Sequence, residues 1–166
     1  MVEKDKVFAG KVKYVGIWSF KDVYRFVYDW FIDNDYDLTE KNYSEKVKPD
    51  GKEIEIKWEA MRKISDYFKF TIKADWRILG MTEVEVQKEG AKVKMNKGTI
   101  EIKFTAVLLK DYEQRWENTA FLKFLRGVYD RYIIRGRIEQ YEMKLFGEVD
   151  EVIAQTKSFL AIEGNK

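Results

Sequence analysis

The sequence predicts an α+β protein built on one curved antiparallel β-meander of about six or seven strands, covered by an N-terminal helix and a long C-terminal helix. From Tyr36 to Asp111, apolar and polar residues alternate with a period of two, which is typical of strands with one dry and one wet face. On either side of this region, apolar residues recur every three or four positions, as they do in amphipathic helices. Residues 1–166 contain no repeat or flexible linker, so we expect a single domain.

The first strand and the first helix follow each other directly. Val7 to Val15 alternate loosely and predict a strand that ends at Gly16. Ser19 precedes an apolar stripe over residues 20 to 32, with Asp22 three residues after it. This spacing is a variant of the capping box, so we expect a helix that begins after Ser19.

The middle region predicts the meander. Lys48-Pro49-Asp50-Gly51 is a turn sequence, and further breaks are expected at Gly80, at Glu89-Gly90 and at Asn96-Lys97-Gly98. The apolar positions between these breaks predict the dry face, and they are Ile54, Ile56, Trp58, Ala60, Phe68, Phe70, Ile72, Ala74, Trp76, Ile78, Val84, Val86, Ala91, Val93, Met95, Ile100, Ile102, Phe104, Ala106 and Leu108. That face requires a cover, which only the helices can supply.

Residues 113–162 predict a long C-terminal helix that extends beyond the sheet. The helical period is clearest in one apolar stripe, formed by Leu145, Val149, Val152, Thr156 and Phe159. Glycines at 136 and 147 lower the helical propensity, so one long helix and two helices bent at a glycine both stay open.

This order of elements resembles the helix-grip fold of the START and polyketide-cyclase-like superfamily. The resemblance implies a sheet that wraps around the final helix and holds an apolar ligand between the two. This sequence differs from that pattern in having one helix after the first strand instead of two, and a final helix about twice the usual length. The added length indicates an arm for oligomerisation or for a partner protein.

Aromatic and small residues on the dry face predict a ligand cavity. Four aromatic residues point inward as walls, alanines leave space between them, and two tyrosines of the C-terminal helix act as a polar-tipped lid. The predicted ligand-binding residues are Trp58, Phe70, Ala74, Trp76, Phe104, Tyr129 and Tyr132. The alternative is a solid core, in which the alanines allow the helix to pack closely on the sheet.

Glu40 is a candidate inward-facing carboxylate. If the strand that starts at Tyr36 keeps its phase, then Tyr36, Leu38, Glu40 and Asn42 share the inner face. A buried carboxylate could perform acid–base chemistry. The competing interpretation is that Glu40 pairs with an arginine of the C-terminal segment or lies at an edge of the sheet.

The composition excludes several kinds of chemistry. The chain has no Cys and no His, which removes disulfides, thiol nucleophiles, the commonest metal ligand and the commonest general base. Glycine-rich phosphate loops and the nucleophile-elbow motif are missing. We therefore expect no cofactor, no metal site and no catalytic residue.

The charge balance disfavours nucleic acid as a partner. Lys and Arg number 31 against 29 Asp and Glu, a net charge of +2, whereas nucleic-acid-binding domains are strongly basic. Arg126, Arg131, Arg135 and Arg137 could bind phosphate, but they divide between two helix faces and have acidic neighbours. A solvated, ion-paired helix is the favoured interpretation.

The chain is expected to be soluble and cytoplasmic. Its N-terminus is charged and lacks the apolar segment of a signal peptide, and no stretch predicts a membrane span. A composition rich in Lys, Glu and Ile resembles that of thermophile proteins.

Two functional hypotheses result. The first is a non-enzymatic binding module that holds a small apolar or amphipathic ligand between the sheet and the C-terminal helix. The second is a structural or interaction protein with a solid core, whose C-terminal helix forms a homodimer or docks on a partner protein.

Overall fold

The structure, a computed structural model, describes residues 3–65, 67–110 and 135–164, together with residues 121, 124, 125 and 128. Its elements in chain order are β1 (Glu3–Trp18), α1 (Phe20–Asp33), β2 (Asp37–Lys48), β3 (Gly51–Lys63), β4 (Phe68–Lys88), β5 (Ala91–Lys110) and α2 (Arg135–Gly164). The strands form an open antiparallel sheet in the order β1-β5-β4-β3-β2. The α+β class is confirmed.

Helix α1 connects the two edge strands of the sheet. Its 14 residues give a length of about 21 Å. Five strands have four spacings, or about 19 Å from one edge to the other. The helix is therefore long enough to cross from β1 to β2, and four of its side chains, Val23, Val27, Trp30 and Phe31, are buried in the core.

The prediction of six or seven strands is wrong, because two expected breaks are irregularities inside long strands. Gly80 has a φ of +62° and lies at a register shift between Leu79 and Thr82, so β4 continues through it as a β-bulge. Gly98 lies opposite this bulge, where a Cβ atom would come within 2.9 Å of the Leu79 carbonyl oxygen. β4 and β5 thus continue past these positions, and the sheet has five strands.

Other local predictions are confirmed. The Ser19 Oγ accepts a hydrogen bond from the backbone N–H of Asp22 at 3.4 Å and caps α1. β2 ends at Lys48 and β3 begins at Gly51, so the Pro49-containing turn forms the expected hairpin. In α2, the helix continues through Gly147. Residues 113–134 of the predicted long helix lie outside the described residues, apart from residues 121, 124, 125 and 128.

The core is the inner face of the sheet, closed by both helices. Alternate residues of three strand segments, Ile54–Ala60, Phe68–Ile78 and Ile100–Leu108, have 0–4% of their surface exposed, as the period of two predicted. From α2, Leu145 and Val149 are among the side chains buried against this face. Each large apolar side chain buried in this way contributes about 1.5–3 kcal/mol relative to full exposure.

The far end of the β4–β5 hairpin does not belong to this core. Beyond the bulge at Gly80, four residues predicted on the dry face are only partly buried or are exposed, and they are Val84, Val86, Ala91 and Val93. Among the predicted residues of this segment, Met95 is buried. On β4 the partial burial still alternates over residues 83–88, whereas residues 91–94 of β5 are all exposed.

One polar cluster joins α2 to the sheet and to the end of α1. The Arg62 guanidinium on β3 donates to the Glu148 carboxylate of α2 at 2.7 Å and to the Asn34 carbonyl oxygen at 2.8 Å. The Tyr36 hydroxyl donates to the second oxygen of Glu148 at 2.8 Å. The Arg62 guanidinium also lies 4.8 Å from the centre of the Tyr36 ring. We call Asn34, Tyr36, Arg62 and Glu148 the arginine clamp.

Removal of the clamp carboxylate is expected to destabilise the fold. Because Arg62 and Glu148 expose only 16% and 13% of their side chains, Glu148→Ala leaves a largely buried guanidinium and a phenol without their acceptor. We expect a loss of about 2–3 kcal/mol in the free energy of unfolding, measured by chemical denaturation. Glu151→Ala, at an exposed position of the same helix, is the control and should change it by less than about 0.5 kcal/mol. Equal losses in both variants would contradict a role for the clamp.

Replacement by alanine should destabilise the protein at Gly98 and stabilise it at Gly147. Gly98→Ala places a Cβ against the backbone at Leu79, Gly80 and Met81, so we expect it to lose about 1–3 kcal/mol of stability. Gly147 lies within α2, and a Cβ atom added there would meet nothing within 4 Å, so Gly147→Ala should gain about 0.5–1 kcal/mol. Thermal denaturation of both variants measures the difference, and a stabilised Gly98→Ala would refute the close strand contact.

Candidate functional site

Five of the predicted ligand-binding residues lie together in the core. Trp58, Ala74 and Phe104 stand side by side on β3, β4 and β5, and Trp76 lies in the next row. Phe70 lies further along β4, and all five expose 2% or less of their surface. Tyr129 and Tyr132 lie outside the described residues.

Of these five residues, Trp76 borders a surface groove, but that groove does not open on the inner face. The groove, of about 540 Å³, lies on the opposite, outer face, between charged side chains of β1, β3, β4 and β5. Cations and anions both line it, and Lys11 and Glu101 form an ion pair there. This groove is part of the solvated Lys/Glu lattice and shows no concentration of one charge.

An aromatic cluster lies where α1 packs on the inner face near β2. Tyr24 and Tyr28 are four residues apart on α1, so their side chains project from the same side of the helix. Their ring centres lie 4.9 Å and 6.2 Å from Trp58, both in edge-to-face geometry, and Trp58 lies 5.1 Å from Trp76. We call Tyr24, Tyr28, Trp58 and Trp76 the aromatic cluster. Each such pair adds about 0.5–1.5 kcal/mol beyond burial of its area.

Glu40 provides a carboxylate at this cluster. It lies opposite Trp58 in the β2–β3 pairing, and its Oε1 accepts hydrogen bonds from the Tyr24 hydroxyl at 2.9 Å and from the Trp58 indole Nε1–H at 3.1 Å. Glu40 is nevertheless exposed to solvent. Within the described residues, no lysine or arginine lies within ion-pair distance of it.

A bulge in β2 explains both the position and the exposure of Glu40. The register shifts between Glu40 and Asn42, at the edge of the sheet. Glu40 keeps the inward phase predicted for it, but Asn42 pairs with Lys57 of the wet face, so its predicted inward phase is wrong. Tyr43 then lies opposite Ile56, and 45% of it remains exposed.

Burial and nearby carboxylates raise the pKa of the Tyr24 and Tyr43 hydroxyls and keep both protonated. Loss of solvent around Tyr24, followed by its hydrogen bond to Glu40 and the negative charge there, raises the pKa of its hydroxyl to about 12. Burial, together with Glu45 and Glu40, raises the pKa of Tyr43 as well. Both hydroxyl groups are therefore hydrogen-bond donors at neutral pH.

The cluster also contains a buried donor without a protein partner. The Trp76 indole Nε1–H is buried and has no acceptor among the described residues. Its ring lies 6.0 Å from that of Tyr24. Buried N–H groups normally find an acceptor, so this atom is an exception within the core.

Sequence reasoning identified Trp58 and Trp76 but missed Tyr24 and Tyr28. The pattern assigned Tyr24 to the apolar stripe of the first helix and gave Tyr28 no role. The available signal was the spacing of two tyrosines by four residues, combined with an inward-phase glutamate on the next strand. Of the arginine group, Arg137 is exposed, while residues 126 and 131 lie outside the described residues.

Other kinds of site are not found in the described part of the chain. It contains no group of three or more acidic side chains placed to hold a metal ion. Neither of its helices combines the length and the apolar character needed to cross a membrane. Comparison with known proteins gives no match to a protein-family model, a curated protein or a solved structure.

Loss of the Tyr24 hydroxyl should have a pH-dependent effect on stability. Tyr24→Phe removes the hydrogen bond to Glu40, and we expect a loss of about 1 kcal/mol in the free energy of unfolding at pH 8. Because the folded pKa of about 12 is above the unfolded value of 10.0, the hydroxyl stabilises the fold below pH 10. That contribution should disappear as the pH rises from 10 to 12. Urea denaturation of both proteins across this range measures it, and a constant difference between them would contradict the assignment.

Proposed function

We propose that the chain is a binding module for a small amphipathic ligand, held against the aromatic cluster beside Glu40. The observation that carries the proposal is Glu40 itself, an exposed carboxylate that is hydrogen-bonded to two aromatic side chains but has no ion-pair partner among the described residues. Ligand sites typically combine apolar rings with a few fixed polar groups, and this is that combination.

The proposed site uses part of the surface expected from the sequence. Trp58 and Trp76, like Phe70, Ala74 and Phe104, are buried and support the site from within the core, whereas the rings of Tyr24 and Tyr28 reach its surface. The site therefore lies at the α1 end of the inner face, next to an edge strand from which a ligand can enter. A ligand with an apolar body would contact the rings of the two α1 tyrosines, and its polar end would reach the carboxylate.

The alternative, an interaction protein that uses its C-terminal helix, stays a prediction. Met143 and Phe146 of α2 expose 75% and 44% of their surface and are the side chains that such an interface would cover. One experiment separates the two functions, because a dimer and a ligand complex differ in mass.

Native mass spectrometry of the purified protein, followed by denaturing extraction, tests the proposal. We expect a monomer that carries a small molecule, which is released on unfolding. Tyr28→Ala removes an exposed ring of the cluster and should weaken retention about threefold to tenfold. Ile32→Ala is the matched control, since Ile32 lies on the same helix with 45% exposure and has no ring to offer. A ligand-free dimer would reject the proposal and favour the interaction protein.

A further inference from the structure

We infer that the ligand of this site carries an organic cation, an alkylated ammonium group that lies beside the Glu40 carboxylate and against the partly exposed rings of Tyr24 and Tyr28. This inference rests on the proposed function and names its ligand class. Two independent features of the described residues carry it, the uncompensated carboxylate and the aromatic rings around it.

The Glu40 carboxylate determines which sign of charge the ligand carries. Both hydrogen bonds that Glu40 accepts use Oε1 and come from neutral donors, so its negative charge has no cationic partner among the described residues. An anionic ligand would be repelled, and a purely apolar one would desolvate the carboxylate without compensation.

The rings favour a large, weakly hydrated cation. The face of an aromatic ring is negative, and alkylated ammonium groups bind within about 6 Å of the ring centre. Tyr24 and Trp58 hydrogen-bond to this carboxylate, and the partly exposed rings of Tyr24 and Tyr28, which both pack on the buried Trp58, are the ones that a cation can reach. A divalent metal ion requires several oxygen ligands, whereas the described residues of this site offer a single carboxylate.

Glu40 could also serve only as the acceptor that Trp58 requires. Glutamine distinguishes the two roles, because its side-chain oxygen can accept the same hydrogen bonds without a charge. Glu40→Gln should therefore keep the fold while it removes the attraction for a cation. Glu55→Gln is the matched control, since Glu55 is an exposed carboxylate on the outer face of β3.

The test compares choline with its neutral isostere 3,3-dimethyl-1-butanol by NMR titration of the tryptophan indole signals at millimolar concentrations. Trp58→Phe assigns the Trp58 signal. We expect choline to shift this signal and to bind at least about tenfold more tightly than the neutral compound, a difference of about 1.4 kcal/mol. Glu40→Gln should abolish that preference, and Glu55→Gln should leave it unchanged.

The outcomes separate this inference from the proposed function. Equal binding of both compounds at Trp58, or binding of choline that Glu40→Gln leaves intact, would refute a cationic ligand. The proposed binding site would be unaffected by that result. Absence of any shift at Trp58 with either compound overturns the inference, and the proposed function falls with it only if no ligand co-purifies. If Glu40→Gln fails to fold, the comparison of the two compounds on the unaltered protein decides the question alone.

Discussion

The apolar inner face of the five-stranded sheet has to be removed from water, and this requirement determines where both helices lie. One face of β3, and of β4 and β5 on the core side of their bulge, is almost completely buried, and within the described residues the helices cover it. Helix α2 packs closely where Gly10 lies on β1, since a Cβ atom there would be 2.5 Å from the Ile153 side chain. Hydrophobic burial of this kind is the dominant favourable term in folding.

Two tyrosine–glutamate clusters lie at the margin of this core, and an arginine pairs with the glutamate in only the first of them. In the arginine clamp, Tyr36 donates to Glu148, and Arg62 neutralises the carboxylate. At the aromatic cluster, Tyr24 donates to Glu40, and no described cation approaches the carboxylate. Burial, with the adjacent glutamate, raises the pKa of both tyrosines. The first arrangement joins three elements of the fold, whereas the second leaves a charge available to a ligand.

One irregularity of the sheet, the bulge in β2, is what exposes the second of these clusters. The bulge after Glu40 ends the inward phase of β2 at the edge of the sheet, so the carboxylate meets both the core and the solvent. The bulge at Gly80 has a different effect, because it lets β4 continue to Lys88. Both features depend on one or two residues within otherwise regular strands.

Local sequence patterns were enough to predict the α+β class, the inward-facing residues of the middle strands as far as the Gly80 bulge, the cap of α1 at Ser19 and the buried stripe of α2. Each of these follows from a local period or a local hydrogen bond, which neighbouring residues specify alone. The strand count and the site were decided by tertiary structure. A glycine such as Gly98 signals a turn in the sequence, and only its close approach to the neighbouring strand shows that β5 continues. In the same way, Tyr24 and Glu40 lie on consecutive elements and meet because α1 packs on the inner face beside β2, a contact that the separate patterns of helix and strand do not specify.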